Sequence, residues 1–251
     1  MDDKSTYAVQ RWTAWTGPIM VVTYLTFWIV LGHNHPPPSS GLTGAQLVAD
    51  YYGPHRSDIL LGMSLCAFSG LLYLPWTVLL TVQMWRREKV PVLSLMQLTG
   101  GALTAWLLAM CPAMWAWCAR YATTPGVDPE LVKSVHMVSW YIYDMTYMVT
   151  TVQLFGCGLF ALLDRKTPAI FPRWAGWVAI WTGLSFLPLT FIPYFEDGPI
   201  AINGVWNFYV VFASWGAWFS SYTYFMFKDV KRVRISPAPG IAQAMSYGHA
   251  E

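Results

Sequence analysis

The chain has 251 residues, 55% of them hydrophobic and only 11% charged, with a formal net charge of +2. Soluble domains carry about 25% charged residues, so the composition argues against one. The small net charge gives no reason to expect a nucleic-acid partner. The apolar residues stand in long blocks rather than alternating, which argues for membrane helices and against a β-barrel.

In chain order the predicted spans are 17–32, 59–85, 92–117, 137–163, 174–195 and 204–227. They describe an all-α, polytopic membrane protein with six transmembrane helices. The first apolar run lacks an Ala-x-Ala exit, so it reads as an uncleaved helix. A long loop follows, starting His33-Asn34-His35-Pro36-Pro37-Pro38. Within it, Thr43 with Gln46 fits a capping box. Leu47, Val48 and Tyr51 form an apolar stripe, so a short amphipathic helix on the membrane surface is expected, ended by Gly53-Pro54. Arg86–Pro91 and Asp164–Arg173 are short basic turns joining antiparallel hairpins. Tyr121–Val135 carries the turn signals Pro125-Gly126 and Asp128-Pro129, and Glu196–Pro199 reads as a tight turn. Pro75, Pro112, Pro188 and Pro193 interrupt helices and are expected to kink them. Residues 1–235 make up the six-helix domain. Residues 236–251 form a polar, Pro- and Gly-rich cytoplasmic tail expected to be disordered.

Charge sets the orientation. With alternate loops assigned to alternate sides, one side holds Lys4, Arg11, Arg86, Arg87, Lys89, Arg165, Lys166, Arg173, Lys228, Lys231, Arg232 and Arg234. The other holds Arg56, Arg120 and Lys133. The positive-inside rule then puts both termini in the cytoplasm, in the inner (plasma) membrane.

Asp144 stands out because it is an acid well inside an apolar helix-length run. A carboxyl group there is costly unless it is protonated, partnered or facing a wet cavity. His136, Trp140, Asp144, Tyr147 and Thr151 step by three and four residues and so share one helix face. Asp144 lies about 12 Å below His136, at about 1.5 Å per residue. Tyr141 and Tyr143 flank it. Polar residues collect in the outer halves of the helices and their loops, including Arg120, Glu196, Asn203 and Asn207. The basic halves offer mainly Gln83, Gln97 and Gln153. An outward-opening pocket follows, with Asp144, His136 and Tyr147 as candidate catalytic groups. Trp140, Tyr143, Arg120, Glu196, Asn203 and Trp206 are its candidate ligand-binding groups. Deep tryptophans (Trp76, Trp106, Trp140, Trp181, Trp206, Trp215) would suit a flat apolar molecule such as a terpenoid, steroid or hydrocarbon.

Cys66, Cys111, Cys118 and Cys157 lack CxxC spacing and read as small packing residues. No metal signature is present in the His, Asp and Glu spacings. No cofactor is named by the residues.

Several segments resemble an uncharacterised family of six-helix bacterial inner-membrane proteins. They are Tyr51–Arg56 running into Ile59–Met63, Leu72–Pro75, Gln83–Arg87, Phe171–Trp177, and Glu196–Pro199 with Asn203-Gly204. The resemblance implies the six-helix architecture and assigns no catalytic role.

Three functions compete. One is a membrane protein binding a small apolar or amphipathic ligand at Asp144. As an enzyme it would use Asp144 as general acid in isomerisation, cyclisation or hydration. The second is a proton-coupled transporter or permease subunit. The third is a structural subunit with partner membrane chains. Membrane lipid is a partner in every case.

Overall fold

The computed structural model describes residues 2–235; the tail 236–251 lies outside the described residues. Every element among the described residues is helical. Helix α1 (Asp3–Thr26) is capped by Asp2, whose carboxylate accepts from the Ser5 amide at 2.8 Å, and it continues into a π turn over Phe27–Leu31. Next come α2 (Gly44–Leu47), a π turn over Val48–Tyr52, α3 (Gly53–Gly70) and α4 (Tyr73–Trp85). Helix α5 (Val92–Tyr121) follows, then α6 (Pro129–Met145) and α7 (Tyr147–Leu163). Helix α8 (Arg173–Ser185) runs into a 3-10 segment over Leu187–Tyr194. The last rod is a π turn over Trp206–Val211 leading into α9 (Phe212–Ile235).

Among the described residues five helical segments are long and apolar enough to cross a membrane: Asp3–Leu31, Gly44–Trp85, Val92–Tyr121, Pro129–Leu163 and Arg173–Tyr194. The sixth rod, expected as a span, falls short in composition. Its helix carries Ser214, Ser220, Ser221 and Thr223, then Lys228, Asp229, Lys231 and Arg232. It nonetheless packs against α1, α4 and α8.

Several boundaries differ from the sequence reading. The capping box at Thr43 is present, with Thr43 accepting from the Gln46 amide at 3.2 Å. The helical run kinks directly after Gly53-Pro54, at His55 with φ −110° and ψ 15°, and α3 continues beyond the kink. The stripe faces protein rather than lipid. Leu47 is buried, the Tyr51 hydroxyl donates to the Gly32 carbonyl at 2.7 Å, and the Gly44 amide donates to Glu130 Oε1 at 2.7 Å. Asp128-Pro129, expected as a turn, starts α6: Asp128 accepts from the Glu130 amide and Pro129 sits at the first helical position.

Proline explains two breaks. The ring of Pro75 crowds the carbonyl four residues back, and α3 and α4 part there, at Leu71-Leu72. Pro188 and Pro193 accompany the change of α8 to a 3-10 helix. Pro112 lies within an unbroken α5.

Backbones approach closely where glycine allows it. A Cβ on Gly70 would lie 2.6 Å from the Leu108 carbonyl oxygen, and one on Gly100 would lie 2.4 Å from that of Val149. Such contacts replace the hydrophobic driving force that lipid cannot supply between helices.

Side-chain bonds tie each end of the bundle together. At one end Arg86 and Arg232 both pair with buried Asp229, and Lys166 donates to the Arg87 carbonyl at 2.8 Å. At the other, Ser40 donates to the Glu196 carbonyl at 3.1 Å and Arg56 to the Arg120 carbonyl at 3.4 Å. Below the basic end lies a buried polar core. Tyr73 donates to Gln153 at 2.7 Å, Trp76 to Thr223 at 3.0 Å and Gln83 to the Met226 carbonyl at 3.1 Å. The exterior is apolar, with Trp106 56% and Trp181 65% exposed. These two tryptophans, expected deep, therefore stand on the surface.

Candidate functional site

Asp144 is 4% exposed, near the C-terminal end of α6. The helix breaks just after it, at Thr146, whose dihedrals are φ −83° and ψ 15°. A threonine stands at the break. Its hydroxyl donates to the Ile142 carbonyl at 2.6 Å, the group the backbone amide would have used, and that amide turns to the Asp144 carbonyl instead.

Across the bundle, Asn207 lies in the π turn opening the last rod and is 2% exposed. Its Nδ2 donates to Asp144 Oδ2 at 3.0 Å and to the Ile202 carbonyl at 3.0 Å. A carbonyl can only accept, so the amide orientation is fixed and both N–H groups are used. Among the described residues no Lys, Arg or His nitrogen forms an ion pair with Asp144. The other buried acid, Asp229, has two arginines.

Asp144 faces a cavity of about 460 Å³. Its walls are Met20, Val21, Tyr24 and Leu25 of α1 with Trp28 and Ile29 of the π turn, Thr104, Leu107 and Leu108 of α5, Tyr143, Tyr147 and Thr150 around the helix break, and Phe208, Tyr209, Val211, Phe212, Ala213, Trp215 and Gly216 of the last rod; Phe186, Leu189 and His35 complete it. Three of these walls are irregular at this level: the π turn holding Trp28, the break at Thr146 and the π turn holding Asn207 and Phe208. Irregular backbone at membrane depth is tolerated where it is buried in protein or lines a cavity, and π turns concentrate at functional sites.

The walls are otherwise mostly apolar and aromatic. Trp28, 1% exposed, stacks on Phe208 and Phe212 with ring centroids 5.6 and 5.4 Å away, and on Tyr143 at 6.4 Å. His35 stacks on Phe208 at 5.1 Å. Of the polar wall groups, Trp28 Nε1 and Tyr24 Oη are buried without a hydrogen-bond partner among the described residues, while others are engaged. Thr104 and Thr150 share a hydrogen bond of 2.8 Å, and the Tyr147 hydroxyl bonds Thr190 at 2.7 Å.

Of the expected site residues, Asp144, Tyr143 and Tyr147 line the cavity. The others do not. His136 is buried, but its Nδ1 bonds the Tyr52 hydroxyl at 2.7 Å, away from the cavity wall. Trp140 is buried behind the wall, tilted against Trp115 at 4.7 Å. Arg120 and Glu196 are surface residues at the loop end, Arg120 lying over the Tyr121 ring at 5.8 Å. Asn203 is half-buried in the loop before the last rod. Trp206 donates its indole N–H to the Ser185 carbonyl at 3.0 Å, on the exterior.

Sequence reasoning missed Asn207, Trp28, His35 and Phe208 as site residues. Asn207 carried a signal, being an amide in an apolar run like the one around Asp144. Among the described residues no group of three or more His, Cys, Asp or Glu side chains is placed to hold a metal ion.

The fold defines a class, an all-helical bundle with several helices able to cross a membrane. Scans against protein-family models, curated proteins and solved structures returned no match.

Proposed function

We propose that the protein is a six-span plasma-membrane protein with both termini in the cytoplasm. In this reading it binds a small apolar or amphipathic molecule, of terpenoid, steroid or hydrocarbon type, in the cavity beside Asp144. The carrying observation is a buried acid with no cationic partner among the described residues, facing an apolar cavity of about 460 Å³. A protein rarely keeps such a group in hydrocarbon without a use for it. The basic end of the bundle points to the cytoplasm by the positive-inside rule, so the cavity opens towards the outer side. If chemistry follows binding, Asp144 is the general acid, with Tyr143 and Tyr147 beside it and His35 in place of His136.

A second reading, proton-coupled transport, draws on the helix broken at Thr146 directly beyond the carboxyl group. Broken helices at a midplane site are a transporter device.

Native mass spectrometry of the purified protein tests the binding reading. A Cβ on Gly216 would meet no atom within 4 Å, and Gly216 lines the cavity. Gly216→Phe is therefore expected to fill the cavity without disturbing the fold. The wild type should carry a small-molecule adduct that Gly216→Phe lacks. An adduct of equal occupancy in both would reject the cavity as the site.

A further inference from the structure

We infer that the molecule held beside Asp144 carries a protonated amine as its head group: a lipophilic cation whose apolar body fills the cavity. This rests on the binding reading above and names the ligand chemistry of that site.

Asp144 brings a carboxyl group to the cavity wall, and Trp28 Nε1 is a buried donor there without a hydrogen-bond partner among the described residues. The hydrogen-bond partner of Asp144 among the described residues is Asn207, through Oδ2 alone. The Asn207 N–H groups are both used, and its Oδ1 is buried without a partner. The bond from Asn207 to Asp144 is one an ionised carboxylate accepts with added strength. Among the described residues the Asp144 carboxyl group has no counter-charge, although the fold supplies two arginines to the other buried acid. The missing partner is thus a cation with several donors, which a primary ammonium provides and a lone hydroxyl does not.

The surroundings suit a cation as well. Trp28, Tyr143, Phe208 and Phe212 gather on the cavity wall beside the carboxylate. Aromatic faces attract ammonium groups, more strongly once water is removed. The rest of the wall is mostly apolar, with Met20, Leu25, Ile29, Leu107 and Leu189 among its residues, so the body of the ligand is hydrocarbon.

The test compares two ligands of one shape, cyclododecylamine and cyclododecanol, by isothermal titration against the wild type in nanodiscs, with empty nanodiscs subtracted. The amine should bind at least about tenfold more tightly than the alcohol, and Asp144→Asn should bring the two within about twofold. Equal affinities in the wild type, or a preference for the alcohol, would overturn the cationic head group while leaving an apolar ligand site intact. Binding of neither would reject the binding reading itself. The comparison within the wild type stands even where Asp144→Asn fails to fold.

Discussion

The Asp144–Asn207 bond sets the register between the fourth and sixth rods, and a double-mutant cycle measures it. Both side chains are almost fully buried, at 4% and 2% exposed, so solvent does little to screen the bond. A hydrogen bond to a charged group contributes about 1.5–3 kcal/mol. Asn207→Leu removes the donor from Asp144 and also orphans the Ile202 carbonyl. Asp144→Leu strands the donor of Asn207. The double variant strands neither side of that pair, and the Ile202 loss appears in both Asn207 variants and cancels. The double should therefore cost less than the sum of the singles by about 1.5–3 kcal/mol. SDS-driven unfolding in mixed micelles, followed by tryptophan fluorescence, gives the three differences. Additivity within about 0.5 kcal/mol would mean the two side chains do not interact, and the geometry assigned to the site would be wrong.

Other consequences concern the scaffold. Gly100→Ala places a methyl 2.4 Å from the Val149 carbonyl oxygen and should cost about 1–3 kcal/mol in the same unfolding assay. Gly216→Ala, with open space around it, should be neutral or stabilising by about 0.5–1 kcal/mol. Asp229→Asn removes the charge shared by Arg86 and Arg232, whose side chains are 21% and 32% exposed. That partial exposure holds the expected loss to about 1–2 kcal/mol, below that of a fully buried pair. Thr43→Ala should speed amide exchange at Gln46 while shifting the global unfolding midpoint little, since a cap contributes about 1 kcal/mol locally.

Asp144 was legible in the sequence because an acid in an apolar run is an energetic anomaly visible without a structure. Its partner was not. Asn207 lies 63 positions away, and the π turn around it changes which side chains face inward. The face expected to run from His136 through Trp140 and Asp144 to Tyr147 and Thr151 holds for the first three, all buried, and is interrupted by the break at Thr146 before the last two. Sharing a face does not mean sharing a cavity, however: Tyr52, from a distant loop, takes up His136. Trp106 and Trp181 show the limit of hydropathy. Lipid is as apolar as a protein interior, so the pattern does not separate a lipid-facing tryptophan from a cavity wall. The break at Thr146 was hidden because threonine is ordinary in helices, and only its bond to the Ile142 carbonyl reveals the turn. Gly53-Pro54 was legible as a break: the helical run kinks at His55, the next residue, and resumes beyond it.

The central claim is that the Asp144 cavity holds a small apolar molecule. Photolabelling of the protein in nanodiscs with a diazirine-bearing steroid, followed by peptide mapping, tests it most directly. Label concentrated on the cavity walls, at Trp28, Tyr143, Phe208 and Phe212, and lost in Gly216→Phe, is the predicted result. Label confined to the exposed exterior, at Trp106 and Trp181, and unchanged by Gly216→Phe, would contradict it.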